Sequence, residues 1–124
     1  MEPRKVRTFR DLIAWQRSME LAKALYATTA NMPKYEQFGL TNQMRRAAVS
    51  IPSNIAEGHA RQSRADYLKH LRVSRGSLAE FSTQVELAMS LKMIPPTPLL
   101  HDLLQETDRV LQGLIRSLEN KQNE

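Results

Sequence analysis

The sequence has 124 residues, 41% apolar and 25% charged, with no cysteine and a net charge of +5. That length supports a single domain with its own core, and the apolar share argues against a disordered chain. Disulfides and thiolate chemistry are excluded, no apolar run is long enough to span a bilayer, and residues 1–10 are charged and lead into no secretory h-region, so a cytoplasmic domain is expected.

The first helix is expected to begin near Thr8, where Asp11 three residues on completes a capping box. Leu12, Trp15, Met19, Ala22, Tyr26 and Thr29 recur at three- and four-residue steps and form its main apolar seam. A second shoulder runs through Leu21, Leu25, Thr28 and Met32, about 100° round the helix. Met32-Pro33 ends the helix, because the residue before a proline avoids the α region. Residues 33–40 connect to a second helix capped by Thr41, with Met44, Ala47, Ala48, Ile51 and Ile55 on its apolar face. Pro52 falls inside it and predicts a kink, since the apolar spacing continues across the proline; Gly58 is the expected stop.

Ser63 and Asp66 mark the start of the third helix, whose seam runs Tyr67, Leu71, Ser74, Leu78, Phe81, Val85, Ala88 to about Lys92. Ile94-Pro95-Pro96 breaks it. Thr97 caps the fourth helix with Pro98 in the tolerated first position, and leucines 100, 103, 104, 111, 114 and 118 make one side strongly apolar. No strand alternation occurs anywhere, so the expected fold is all-α: an antiparallel up-down four-helix bundle over residues 9–120, with a flexible segment 1–8 and a frayed end 121–124.

Charge is uneven along the chain. Residues 1–75 hold 14 Lys/Arg against 6 Asp/Glu, and residues 76–124 hold 4 against 7. Arg64, Lys69, Arg72 and Arg75 fall within about 140° of one face of the third helix, Arg61 precedes it, Arg45 and Arg46 add a pair on the second, and Arg10 and Arg17 lie on the first. A phosphate-binding surface and a merely solvating face share this pattern; acids are few within the stripe, with Asp66 close by, and on composition alone the two readings stand near even. Aromatic residues are too few to stack unpaired bases. The surplus apolar residues Leu21, Leu25, Met32, Leu68, Val73, Leu87 and Leu91 are read as a subunit interface rather than scattered surface residues.

Catalytic signals are poor. Ser50, Asn54 and Glu57 share a helical face, but a lone carboxylate without nucleophile, metal or partner acid makes a weak general base. The expected alternative is a packed kink, with Asn54 or Ser50 serving backbone groups freed by Pro52 and Glu57 paired with an arginine. His59, His70 and His101 lack metal-ligand spacing, no Glu-x-x-His pair occurs, and four glycines form no P-loop or dinucleotide fingerprint. Neither cofactor, metal nor enzyme activity is expected. The functional expectation is a non-enzymatic oligomer holding RNA or DNA backbone with little sequence choice. The alternative is a scaffold that docks an acidic partner protein, such as a polymerase-type enzyme.

The stretch Ser50-Ile51-Pro52-Ser53-Asn54-Ile55-Ala56-Glu57-Gly58 resembles the signature of the 23S rRNA-intervening-sequence proteins, as do Gly76-Ser77-Leu78-Ala79-Glu80 and the opening Phe9-Arg10-Asp11-Leu12 with Trp15. The resemblance spans about residues 9–118. It implies a bacterial four-helix bundle and, through a related branch that includes the accessory variability protein of diversity-generating retroelements, a homopentameric ring with basic surfaces toward nucleic acid and a reverse transcriptase.

Overall fold

Thr8 and Asp11 do form a reciprocal cap, but on a different element from the one expected. The computed structural model describes residues 5–122, and in it the Thr8 hydroxyl accepts from Arg10 N–H while the Asp11 carboxylate accepts from Thr8 N–H. The box closes a single 3₁₀ turn, Phe9–Asp11; Leu12 is extended, and α1 (Ile13–Thr28) starts after it. Phe9 packs edge-on against Trp15 at 5.2 Å, which ties the turn to the helix. Three longer helices follow: α2 (Leu40–His59), α3 (Arg64–Ser90) and α4 (Pro98–Gln122). Among the described residues there is no strand. α1 contacts α2, α2 contacts α3, α3 contacts α4, and α1 closes the circuit on α4, so all four surround one core centred on Phe81, Leu21, Leu25, Met44, Ile51 and Leu111. The expected loose segments 1–8 and 121–124 lie partly outside the described residues; inside them Thr8 is a cap and α4 continues to Gln122.

The two stripes of α1 exchange roles. Its buried positions are Ala14, Ser18, Leu21 and Leu25, whereas Trp15, Met19 and Ala22 are half-buried and Tyr26 is exposed. Small residues at 14 and 18 let the helix approach its neighbours, and the Ser18 hydroxyl is satisfied within its own helix by donating to the Trp15 carbonyl at 2.9 Å. Bulk misled the seam: Trp and Tyr are seldom fully buried despite their size. Leu21, Leu25, Met32 and Leu68, expected at a subunit interface, therefore belong to the protomer's own core. Val73, Leu87 and Leu91 stay about half exposed.

Other boundaries shift for local reasons. α1 ends at Thr28, short of Met32-Pro33, with the Thr29 hydroxyl donating to the Leu25 carbonyl at 2.8 Å. Thr41 is not a cap; Gly39 precedes the helix and Thr41 is buried in its first turn with a hydroxyl lacking a partner among the described residues. Ser63 accepts from Asp66 N–H as expected. α3 stops at Ser90 in a Schellman turn: Met93 N–H reaches the Ala88 carbonyl, Lys92 N–H reaches Met89, and Lys92 takes the left-handed conformation at φ 58°. Pro98 opens α4, while the Thr97 hydroxyl donates back to the Pro95 carbonyl.

Gly58 does not end α2, which runs on to His59. An added Cβ there would lie 2.8 Å from His70 Cβ, 3.1 Å from Tyr67 Cδ1 and 3.2 Å from the Tyr67 carbonyl, so the missing side chain sets how closely α2 and α3 approach. Gly58→Ala should lower stability by about 1–3 kcal/mol through overpacking. Gly113→Ala, where a Cβ meets nothing within 4 Å, should leave stability equal or raise it by up to ~1 kcal/mol. Urea unfolding of both variants checks the pair, and equal effects would mean that the α2–α3 approach is not limiting.

Candidate nucleic-acid interface

Pro52 lies within a continuous α2, and polar side chains gather around it. A proline removes the donor for the carbonyl four residues earlier, which here is Ala48. The side chains serve other carbonyls: Asn54 Nδ2 donates to the Ser50 carbonyl at 2.9 Å, and the buried Ser74 hydroxyl crosses from α3 to the Ile51 carbonyl at 2.9 Å. Asn54 thus does not serve the group that Pro52 frees. With its Nδ2 committed to Ser50, the Asn54 amide turns Oδ1 toward His70 Nδ1 at 3.2 Å; that oxygen can only accept, so the contact holds a proton on Nδ1. Asn54 also donates to Ser50 Oγ at 3.0 Å, and that hydroxyl shares a 2.9 Å hydrogen bond with Ser77 Oγ in which either can donate. Glu57 pairs with Arg61 at 2.8 Å and stands 4.0 Å from His70 Nε2.

This chain of bonds is a zip between α2 and α3. No hydroxyl in it is bonded to His70 or Glu57, so it pairs no nucleophile with a base. Asp66 and His70, four residues apart on α3, share no hydrogen bond or ion pair among the described residues. Among the described residues no cluster of three or more His, Cys, Asp or Glu could hold a metal, and no helix is long and apolar enough to cross a membrane.

The zip positions the basic residues of α3. Arg64, Lys69, Arg72 and Arg75 are all exposed along it, and Arg46 is exposed on α2. Arg46, Arg64, Lys69 and Arg75 have no acidic partner among the described residues; Arg72 pairs with Glu119 of α4 at 2.9 Å, and Arg61 with Glu57. Arg45 departs from the expected surface: it is half-buried, its Nε donates to Thr29 Oγ1 at 3.1 Å and its guanidinium covers the Tyr26 ring at 4.5 Å. Arg17 is likewise occupied, at 2.7 Å from Glu106 and 3.0 Å from Glu20, and the bond to Glu106 raises its pKa further. Arg10 lies over the Phe9 ring.

Two grooves flank this arrangement. Between α3 and α4, about 600 Å³ is lined by Arg72, Arg75, Gln112, Arg116 and Glu119 over Gly76 and Ala79. Sequence reasoning missed Arg116, dismissed with the acidic second half; its seven-residue spacing from Arg109, which puts both on one helical face, was the available signal. Between α1 and α2, about 580 Å³ is walled by Trp15, Met19, Tyr26, Val49, Pro52 and Ala56, residues of the seam expected in the core and of the motif around Pro52.

A family model described as 23S rRNA-intervening sequence protein matches residues 10–116. No curated protein matches the chain. The crystal structure of a protein with unknown function from the S23 ribosomal protein family of Bacteroides thetaiotaomicron has a TM-score of 0.74 at 24% identity, covering 84% of this chain and 96% of that one, and is similar in fold.

At the α2–α3 seam, burial pushes the Tyr67 phenol up to about 12 from 10.0. The folded chain holds that proton more tightly than the unfolded one, so the contribution is complete below about pH 10 and is lost as pH rises toward 12. Unfolding titrations between pH 9 and 12 should show stability falling more steeply for the wild-type chain than for Tyr67→Phe. Parallel curves would mean that the phenol ionises as freely folded as unfolded.

Proposed function

The chain belongs to the 23S rRNA-intervening sequence protein family, and we propose that it is a non-enzymatic, self-associating antiparallel bundle that holds RNA or DNA by the phosphate backbone. The observation that carries this reading is the row of exposed cations on one side of α3. Arg64, Lys69 and Arg75 have no acidic partner among the described residues, whereas Arg17 and Arg45 elsewhere are occupied within the fold. Unneutralised guanidinium and ammonium groups release condensed counterions when they meet phosphates, which gives affinity without base readout. Antiparallel packing of α2 on α3 is supported by the order of contacts: Ser50, Ile51 and Asn54 ascend while their partners Ser77, Ser74 and His70 descend.

The assembly we propose is a homopentameric ring acting in the cytoplasm, the ring being what the resemblance implies through the related retroelement accessory branch. With Leu21, Leu25, Met32 and Leu68 in the core, the surfaces available for self-contact are exposed Val73, Leu87 and Leu91 and the apolar groove walled by Trp15, Tyr26 and Pro52. A kink at Pro52 would shape that groove. A ring repeats each weak basic stripe around an axis, so modest contacts combine by avidity.

Titration of a labelled structured RNA and a matched DNA duplex across salt tests the basic face. Affinity should fall steeply with salt, and combined Arg64→Glu, Arg72→Glu and Arg75→Glu substitutions should abolish binding while helicity is retained. Unchanged binding by the folded triple variant would remove α3 as the surface; a complex with an acidic protein that resists high salt and nuclease would replace nucleic acid as the partner. For assembly, light scattering should give a mass near five chains, and Pro52→Ala should lower it. A wild-type mass of one chain would overturn the ring.

A further inference from the structure

We infer that the groove between α3 and α4 seats a single sugar–phosphate strand, with Gly76 as the point of closest approach. This rests on the nucleic-acid reading and specifies its contact surface.

Gly76 is a glycine that the fold does not need. A glycine inside a helix is about 1 kcal/mol less favourable than alanine, and Gly113 is another that packing leaves open; what sets Gly76 apart is its place in the lining of the arginine groove. At Gly58 the reason is internal, since an added Cβ would collide with α3. At Gly76 an added Cβ would meet nothing within 4 Å, and no glycine among the described residues has positive φ. Neither packing nor backbone conformation requires the missing side chain. Of its sequence neighbours, Ser77 is bonded to Ser50 and Leu78 is in the core, while Gly76 and Ala79 keep the α3 side of the groove low and Ile115 lines it from α4.

The walls of the groove are cationic. Arg72 and Arg75 rise from α3 and Arg116 from α4, and the one carboxylate among the lining residues, Glu119, is held by Arg72 at 2.9 Å. Two guanidiniums remain uncompensated around a surface where a ligand can reach the helix backbone. Guanidinium forks match phosphate oxygens. No aromatic side chain lines the groove to stack a base, which leaves the sugar–phosphate backbone as the seated part and turns the bases outward.

The test uses the full chain and a labelled unstructured single-stranded RNA, with anisotropy measured across salt concentrations. Gly76→Ala should melt no lower than wild type yet bind at least about fivefold more weakly. Arg116→Gln should reduce the salt slope by about 0.7, the value for one phosphate on a single strand. Gly113→Ala, equally open but outside the groove, should bind as wild type. Wild-type binding by both groove variants, with salt-steep binding retained, would overturn the groove and leave the basic face of α3 standing. Displacement of the RNA by low-millimolar inorganic phosphate at constant ionic strength would also overturn the strand, in favour of a small phosphate ligand. No binding by the wild-type chain at low salt would overturn both readings.

Discussion

The organisation of this protein depends on how closely α2 can approach α3. Gly58 permits the approach at one end, where any side chain would strike His70 and Tyr67. Farther along, Ser50, Asn54, Ser74, Ser77 and His70 convert it into a run of hydrogen bonds, several at the edge of or within the core. Partly satisfied polar seams are costly, but this one is well connected: both the nitrogen and the oxygen of the Asn54 amide are engaged, and Ser74 is matched to a backbone carbonyl. Such bonds are directional in a way that apolar packing is not. They fix the register of α3 on α2, and therefore which face of α3 points outward with its arginines.

Much of the fold was legible because it rested on local chemistry. The Ser63 cap, Pro98 at the head of α4 and the break at Ile94-Pro95-Pro96 all act within a few residues of themselves. The seams of α3 and α4 were also legible: Leu71, Ser74, Leu78, Phe81, Val85 and Ala88 are buried on α3, and Leu100, Leu103 and Leu111 on α4. α1 was not, because the bulk of Trp15, Met19 and Tyr26 drew the seam away from the stripe of Ala14, Ser18, Leu21 and Leu25 that the structure buries. Selection between two stripes about 100° apart is made by neighbouring helices, and that information is not local to α1.

The candidate site shows the same division. A helical projection places Arg64, Lys69, Arg72 and Arg75 together because they share one helix. It cannot show that Arg45 is drawn onto Tyr26 and Thr29 of α1, nor that Arg116 crosses from α4 to join Arg72 and Arg75. Both are tertiary facts between residues 16 or more positions apart. The charge asymmetry along the chain was real but was a poor guide at this resolution, since a single arginine in an acidic half can complete a basic groove.

The positions of the two grooves bear on how binding and assembly can coexist. The apolar groove lies between α1 and α2 and the arginine groove between α3 and α4, and in a closed circuit of four helices these are opposite pairs. The chain's Trp and most exposed tyrosines and phenylalanine, Trp15, Tyr26, Tyr35 and Phe38, all belong to the α1–α2 half. A ring joins two different patches of each copy, and with one of them on that half apolar surface is covered there while each α3–α4 groove stays open, so self-association and phosphate contact need not compete for the same residues. Val73, Leu87 and Leu91 lie outside the lining of the arginine groove, so a neighbour that reaches them as well can leave Arg72, Arg75 and Arg116 uncovered.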